Sequence, residues 1–272
     1  MPAARFDTIS FLSDYGLADE FVGVCKAVIR RIAPGAAVID ICHEIPPHDV
    51  RAGSLALARA AQYLPVGVVL AVVDPGVGGD RRAVAVEAGD GEAVFVGPDN
   101  GLMASAVAMA GGAQRAVDLT NVDYHLPAPG PTFAGRDVFA PAAAHLCAGV
   151  EIDQLGDAVD PLSLLPGVLP LTREEDGRLV GEVLWVDRFG NAQLNVDPAD
   201  IEAMGDRLTI RYGDQVRTAV RVASYSALGP GQIGLVVDSY GLVSVALDRR
   251  SAADELRLHP PAEVSLEPAA ER

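Results

Sequence analysis

Two aspartates stand directly after apolar runs in the first third of the sequence. Asp14 follows the β-rich run 8–13, and Asp74 follows the apolar run 66–73. Open α/β sheets bind ligands beyond the carboxyl ends of their strands, so we expect chemistry at both positions. A carboxylate at Asp14 can accept hydrogen bonds from both hydroxyls of a ribose. The residues alone leave a second interpretation open, in which Asp14 caps a helix that begins near residues 18–19.

The segment V-D-P-G-V-G-G-D-R-R, residues 73–82, combines a glycine-rich turn with groups that can form an ion pair. It lacks the Lys-Ser/Thr ending of a phosphate-binding loop, which argues against nucleoside triphosphate binding. Arg81 follows Asp74 by seven residues. A guanidinium that keeps this carboxylate ionised would let it orient a water and accept its proton. A purely structural ion pair beside a tight turn is the alternative.

The segment P-T-F-A-G-R-D-V-F-A-P, residues 131–141, precedes a helical pattern. Asp137 is a suitable N-cap for that helix, and Pro141 suits its first turn. Helix capping does not account for Phe133, which is therefore a candidate ligand contact.

Two polar turns in the last third of the sequence carry side chains suited to recognising a nucleoside and an amino acid. Asp187 and Asn191 flank a Phe-Gly turn, and Ser239 and Tyr240 stand in a second turn. An asparagine can donate and accept together at an adenine edge, and an aspartate can hold an ammonium group. Either turn could also be a plain connection between strands.

Composition excludes several classes of function. The chain has 272 residues and a formal charge of -16, with 21 Lys and Arg against 37 Asp and Glu and no basic cluster, so we expect no nucleic-acid partner. Three cysteines and five histidines without ligand spacing predict neither a disulfide framework nor a metal site.

No apolar run approaches the roughly 18 residues of a membrane span, and the first residues do not resemble a signal peptide. We therefore expect a cytoplasmic protein without a membrane partner.

The elements that must position these residues alternate between strand-like and helix-like patterns in the first two-thirds of the chain. Strands are predicted at 8–13, 37–41, 66–73, 83–88 and 93–96, and helices at 20–32, 49–63, 101–110 and 138–148. The run 37–41 is continuously apolar except for Asp40, as expected for a buried strand. This alternation predicts an α/β domain with a largely parallel sheet.

The remainder of the chain has a different pattern, with short strands separated by Gly, Pro, Asn and Asp. They are predicted at 181–186, 208–212, 217–222, 233–237 and 242–246. Such a series predicts a small all-β domain, either a sandwich or a barrel. We accordingly predict an α/β domain at 1–165, a linker at 166–180, the β domain at 181–258 and a frayed tail at 259–272.

Seven segments, in this order, resemble one family over about residues 8–255. They are F-L-S-D-Y-G with E-F-V-G-V-C-K-A-V-I, I-D-I-C-H-E-I-P-P-H-D-V, V-D-P-G-V-G, F-V-G-P-D-N-G-L, T-F-x-G-R-D-V-F-A-P-A-A-A, D-R-F-G-N-x-x-L-N and D-S-Y-G-L-V-S-V-A. The family is the S-adenosylmethionine (SAM) hydroxide adenosyltransferases, whose fold also includes the SAM-dependent fluorinase and chlorinase. Each segment is weak alone, and the ordered set is specific.

The resemblance implies that water displaces methionine from the ribose 5′ carbon of SAM in an SN2 step, giving adenosine and methionine without a cofactor. It also implies a homotrimer whose sites lie at subunit interfaces, between the first domain of one subunit and the second domain of its neighbour. The implied roles are ribose binding by Asp14, water handling by Asp74 and Arg81, an aromatic contact by Phe133, methionine binding by Asp187, Ser239 and Tyr240, and adenine binding by Asn191 and Tyr225.

One position departs from the resemblance. The family's hydrolases have His in T-F-H-G-R-D, where this chain has Ala134. The halogenases have Tyr there and lack the acid at the position of Asp74. The chain therefore resembles a hydrolase whose turnover is slowed by Ala134. A SAM- or adenosine-binding protein with little turnover and a halogenase-type enzyme remain the alternatives. His125 lies nine residues before Ala134, and its position in the sequence gives no reason to expect it at the same site.

Overall fold

A computed structural model describes residues 5–270, which divide into two compact units between Val168 and Leu169. The first unit contains β1 (Thr8–Ser13), α1 (Phe21–Ile32), β2 (Ala37–Cys42), α2 (Val50–Ala61), β3 (Gly67–Val72), β4 (Ala83–Ala88), β5 (Ala93–Pro98), α3 (Ala104–Met109), β6 (Ala113–Asp118), α4 (Ala140–Cys147) and β7 (Asp157–Val159). The second contains β8 (Arg173–Glu175), β9 (Arg178–Val186), β10 (Ala192–Leu194), β11 (Arg207–Tyr212), β12 (Gln215–Arg221), β13 (Ile233–Val237), β14 (Val243–Leu247), α5 (Ala252–Leu256) and β15 (Glu263–Pro268).

The first unit is built on one sheet with the strand order β2-β1-β3-β5-β4-β6-β7. The strands β2, β1, β3 and β5 are parallel neighbours, and β4, β6 and β7 add antiparallel pairings. Helices α1 and α4 cover one face, and α2 and α3 pack on the other. All six residues of β3 are buried, as its uninterrupted apolar sequence requires of a central strand covered on both faces. The predicted α/β architecture is confirmed.

Strand β2 does not have the burial that its sequence predicted. It lies at the edge of the sheet, paired only with β1 within the described residues, and Ile39 is 43% exposed. Apart from Asp40, its sequence is apolar like that of β3. An apolar run does not reveal whether its strand lies in the middle or at the edge of the sheet. The prediction of a buried strand at 37–41 is therefore wrong for the single chain.

The second unit is a closed β-barrel. Its ring runs β10-β14-β13-β12-β11-β15-β9 and closes through a pairing of β9 with β10, while β8 extends β9 outside the ring. Every pairing in the ring is antiparallel except that of β12 with β13. Closure leaves the ring without an edge and encloses one apolar core. The predicted small all-β domain is confirmed as a barrel.

Two boundaries differ from those predicted. Residues 263–268, assigned to a frayed tail, form β15, which lies between β11 and β9 and completes the ring. Val264 and Leu266 point into the core, but two apolar residues among charges and prolines were too weak a pattern to recognise. The stretch 166–180 is also not all linker, because β8 and the start of β9 lie in it. The final residues of the expected tail, 271–272, lie outside the described part of the chain.

Candidate active site

The loop after β1 presents Asp14 at the carboxyl end of the parallel strands. Its Oδ2 accepts a hydrogen bond from the backbone N–H of His48 at 2.9 Å. Gly16 turns the chain with a φ of 65°, and its N–H donates to the carbonyl of His43 at 2.7 Å. Helix α1 begins at Phe21 without a side-chain cap, so Asp14 does not cap it. The half-buried carboxylate is held by the segment that precedes α2, which begins at Val50 and is capped by Asp49.

A chain of hydrogen bonds that begins at buried side chains and ends at the surface supports this loop. Ser13 Oγ lies 2.8 Å from Nδ1 of His43, and His43 Nε2 lies 3.1 Å from Oδ1 of Asp40, whose Oδ2 accepts from Lys26 at 2.6 Å. The order Ser-His-Asp is that of a hydrolytic triad. Here Ser13 is 0% exposed and His43 is 4% exposed, so no substrate reaches the hydroxyl. The network therefore fixes the backbone that carries Asp14.

Asp74 and Arg81 form a bidentate pair after β3. Nε of Arg81 donates to Oδ1 of Asp74 at 2.9 Å and to Oδ2 at 3.0 Å, and Nη2 donates to Oδ2 at 2.5 Å. The Asp74 side chain is 6% exposed and that of Arg81 is 18% exposed. The guanidinium also lies 5.2 Å from the centre of the Phe139 ring. Both oxygens of the carboxylate are thus engaged by one cation that is itself held on an aromatic face.

Tyr15 joins the polar and aromatic parts of the α/β unit. Its ring packs edge-on against Phe133 at 5.5 Å and against Phe21 at 5.8 Å, measured between ring centres. Burial raises the pKa of the Tyr15 hydroxyl far above its ordinary value, and the carboxylates of Asp14 and Asp74 act in the same direction. The hydroxyl therefore stays protonated and can only donate or accept a hydrogen bond. Sequence analysis missed Tyr15 and Phe21 as site residues, although both lie within the quoted segments.

A π-helical turn, Gly135–Phe139, leads into α4. Asp137 is buried in this turn, and its two oxygens accept from Nε of Arg136 at 2.6 Å and from Nη2 at 2.8 Å. The predicted N-cap role of Asp137 is therefore wrong: the π turn runs directly into α4 and leaves no free first turn to cap. The same Arg136 guanidinium lies over the Phe133 ring, 4.9 Å from its centre, and so packs on one face of that ring.

A cavity of about 480 Å³ adjoins the start of the π turn. Arg81, His125, Ala134 and Asp137 all line it, together with the glycine turn at 78–79 and the loop 126–131. Sequence position gave no reason to expect His125 near Ala134, and the structure brings both side chains to the same cavity. The eight intervening residues, 126–133, form a loop that returns to the π turn, where the N–H of Leu126 donates to the carbonyl of Asp137 at 2.9 Å.

In the barrel, Asp187 and Asn191 hold the two sides of one turn. Asp187 Oδ1 accepts from the N–H of Phe189 at 2.8 Å and of Asn191 at 2.9 Å, and Oδ2 accepts from the Asn191 amide at 2.8 Å. Gly190 has a φ of 83°, and a Cβ there would collide with Ser251. The turn leaves Phe189 80% exposed. Asp187 and Asn191 therefore pair with each other and present a rigid polar corner.

A second barrel turn is organised by Asp238, which the sequence analysis did not single out. Oδ1 of Asp238 accepts from the N–H of Tyr240 at 2.9 Å, and Oδ2 accepts from Gln193 at 2.6 Å. The Tyr240 ring packs edge-on against Trp185 at 6.2 Å. Ser239 is exposed in this turn. Asp238 and Trp185 were missed because each acts by supporting a neighbour rather than by standing in a motif of its own.

Tyr225 belongs to the same end of the barrel. Burial raises the pKa of its hydroxyl, and the charges of Asp187 and Asp238 act in the same direction. The side chain is 43% exposed. Tyr225 is thus close to both polar turns and offers part of its ring to solvent.

Two further findings concern residues 5–270. No group of three or more His, Cys, Asp and Glu side chains in that range has an arrangement that suits a metal ion. Over the same residues, no helix is both long enough and apolar enough to cross a membrane.

Sequence models of one family match both units of the chain. The SAM hydroxide adenosyltransferase N-terminal domain matches residues 9–156, and the C-terminal domain of the same family matches residues 181–265. This chain belongs to the SAM hydroxide adenosyltransferase family. The first match contains Asp14, Asp74, Arg81 and Ala134, and the second contains both polar turns of the barrel.

Individual relatives agree with this assignment. The (R)-S-adenosyl-L-methionine hydrolase of Salinispora tropica is 46% identical over 252 residues, which cover 93% of this chain and 94% of the relative. The protein of the same name from Thermus thermophilus is 42% identical, with 92% of this chain and 95% of the relative covered. A fluorinase from an Actinoplanes species is more distant at 28% identity, with 80% and 79% covered.

A solved structure of similar sequence supports the fold. An uncharacterized conserved protein from Thermotoga maritima is 34% identical and superimposes with a TM-score of 0.86, covering 95% of this chain and 99% of that one. The family assignment and the architecture described above are therefore consistent over almost the full length of the chain.

Proposed function

We propose that this chain hydrolyses SAM to adenosine and methionine by attack of water at the ribose 5′ carbon. The observation that carries the proposal is the buried Asp74–Arg81 pair inside a domain that matches the SAM hydroxide adenosyltransferases. Relatives named SAM hydrolases, 42% to 46% identical, support it.

The chemistry requires help for the nucleophile and little for the leaving group. Methionine departs from the sulfonium as a neutral thioether, so no acid is needed. Water is a weak nucleophile, and holding it in line with the carbon–sulfur bond, together with removal of its proton, supplies the acceleration. Asp74 and Arg81 are the groups that handle this water. General-base assistance is typically worth about 100- to 10,000-fold. No cofactor takes part.

The substrate-binding residues come from both units. Asp14 accepts hydrogen bonds from the ribose hydroxyls, and Phe133 packs on the nucleoside beside Tyr15. In the barrel, Asn191 reads the adenine edge and Tyr225 packs on the base. Ser239, Tyr240 and Asp187 bind the methionine end, where a carboxylate suits the ammonium group. The rigid Asp187–Asn191 corner supports this division of roles, because it fixes donor and acceptor positions before a ligand arrives.

The active assembly is a homotrimer in which the α/β unit of one subunit and the barrel of a neighbour share each site. Its support is the family resemblance and the presence of polar, ligand-suited turns in both units. The exposed edge strand β2, with an apolar sequence, offers a surface that a second copy would cover.

Halide is disfavoured as the nucleophile. The relatives named SAM hydrolases are 42% to 46% identical to this chain, whereas the Actinoplanes fluorinase is 28% identical. We expect neither fluoride nor chloride to compete with water in this chain.

Incubation with SAM followed by chromatography tests the function. The proposal predicts adenosine and methionine in equal amounts and no halogenated nucleoside when halide is added. The variant Asp74→Asn, which keeps the size of the side chain, should retain SAM binding and lose most turnover. SAM that binds and remains intact would instead identify a binding protein.

A further inference from the structure

His125 is held at the edge of the cavity that it shares with Arg81 and Ala134. Its N–H donates to the carbonyl of Val122 at 3.1 Å, and the next residue, Leu126, is bonded to the π turn. The imidazole lies close enough to the backbone of Leu119 for that backbone to favour the charged form of the ring and so to raise its pKa slightly. A neutral imidazole carries a proton on one ring nitrogen and can accept a proton on the other.

The electrostatic setting keeps this ring neutral. Burial lowers the pKa of His125 below its ordinary value, against the smaller opposite effect of the Leu119 backbone. The charged groups on the same cavity are Arg81 and Asp137, and Asp137 is itself paired with Arg136. On its own segment, His125 is preceded by Tyr124 and the exposed Asp123. His145 packs against Tyr124. At neutral pH the free nitrogen is therefore available to take a proton.

The Asp74–Arg81 geometry leaves a task for such a base. Three hydrogen bonds from Arg81 occupy both oxygens of Asp74, and of the two side chains Arg81 lines the cavity. The Nη1 group of Arg81 takes no part in those three bonds. With both oxygens of Asp74 engaged by Arg81, a water in the cavity finds its proton acceptor in the imidazole rather than in the carboxylate.

We propose that His125 is the proton acceptor for the attacking water, with Arg81 holding the water oxygen and Asp74 positioning Arg81. The proposal rests on the hydrolytic function proposed above. As the water oxygen bonds to the 5′ carbon, the carbon–sulfur electron pair leaves on sulfur, giving neutral methionine. One water proton passes to the free nitrogen of His125, forms an imidazolium and is released to solvent. The other proton remains on the new 5′ hydroxyl of adenosine.

This assignment changes the expected effect of Ala134. The cavity already contains an imidazole from the neighbouring loop, so the absence of one at position 134 no longer implies slow turnover. Because His125 and Ala134 line the same cavity, an imidazole at either position adjoins that cavity.

The test compares His125→Ala and His125→Gln with the unchanged chain, following SAM binding by calorimetry and adenosine formation by chromatography. Gln keeps a polar side chain that can donate a hydrogen bond but has no basic nitrogen. Both variants should bind SAM within about threefold and lose about 100-fold or more in kcat, within the range for general-base catalysis. His145→Ala is the matched control, since burial also lowers the pKa of His145, which lies in α4 outside the cavity lining. It should keep its kcat within threefold.

The pH profile adds a readout that a structural role would not change. For the unchanged chain, kcat should rise with pH through an inflection below the ordinary histidine pKa of about 6.5, because only neutral His125 accepts a proton. Both His125 variants should lose that inflection. Adding Ala134→His to His125→Ala should restore turnover at least tenfold. If His125→Gln keeps its rate and its inflection, His125 is not the base, while the hydrolytic function stands. An unchanged chain that forms no adenosine overturns both.

Discussion

Asp14 offers a ligand one carboxylate oxygen that its own loop does not use. Oδ2 accepts from the N–H of His48, which sets the orientation of the group, and the Ser13–His43–Asp40 chain of hydrogen bonds holds the backbone beneath it. Hydrogen bonds from ribose hydroxyls to an ionised carboxylate are stronger than those between neutral groups. The loop therefore presents a prearranged acceptor, with little ordering left to occur on binding.

Replacement of Asp14 by Ala should weaken SAM binding by roughly 1.5–3 kcal/mol, equivalent to about a 10- to 150-fold rise in Kd, through the loss of hydrogen bonds to a charged group. Calorimetry measures this directly. Asp19→Ala is the control, because it removes the same charge from an exposed position nearby. Equal affinities for the two variants would show that Asp14 does not contact the substrate.

Gly135 is needed where the π turn passes the Tyr15 hydroxyl, since a Cβ at that position would collide with it. Gly135→Ala should lower the free energy of unfolding by about 1–3 kcal/mol, as expected for overpacking a filled space. Gly130→Ala provides a matched control, because a Cβ at Gly130 meets no atom within 4 Å. Denaturant titration compares the variants, and similar midpoints would contradict the proposed crowding.

Residue patterns predicted contacts within one short segment better than contacts between segments. Asp74 and Arg81 stand in one glycine-rich turn, so their pairing followed from the sequence. His125 lines the same cavity as Ala134 only because the loop 126–133 folds back on the π turn, and no local pattern encodes that return. At Asp137 a local pattern was misleading. The surrounding sequence suits a helix N-cap, but the residue lies inside a π turn, where Arg136 binds its carboxylate.

At the scale of elements, periodicity identified the central strands and the helices, but it did not predict the order of the strands within each sheet. Strands β2 and β3 have similar apolar runs, and only the strand order places one at the edge and the other in the middle. Strand β15 was missed because just two of its residues face the barrel core. Its role follows from topology, since without it β11 and β9 have no common neighbour and the ring is open.

Leu266 tests the importance of β15. It is 0% exposed in the barrel core, so Leu266→Ala should cost about 2–5 kcal/mol of stability, the usual range for a buried leucine. The adjacent Ser265 points to the other face of the strand, and Ser265→Ala should change stability by less than about 0.5 kcal/mol. Chemical denaturation followed by the fluorescence of Trp185, which lies in β9, reports on this unit. An unchanged midpoint for Leu266→Ala would mean that β15 is not part of the folded barrel.

At the scale of the whole molecule, the proposed trimer makes each site depend on two chains. The net charge of -16 on each chain opposes association, so the assembly should be measured at physiological ionic strength, where the Debye length is about 8 Å. Light scattering should give about 85 kDa, three times the chain mass of 28.3 kDa.

Mixing two inactive variants tests the shared site. Asp74→Asn damages the α/β half and Asp187→Ala damages the barrel half, so each alone should have little activity. After unfolding and refolding together in equal amounts, about a quarter of the interfaces should combine two intact halves and recover turnover. Each variant refolded alone is the control. A mixture no more active than its components would place both halves of the site within one chain.

The central claim is that water attacks the ribose 5′ carbon of SAM. Turnover in water enriched in ¹⁸O, with mass spectrometry of both products, tests it most directly. The account predicts one ¹⁸O atom per adenosine, located in the 5′ hydroxyl, and none in methionine. Adenosine without the label, or label in methionine, would contradict attack of water at this carbon.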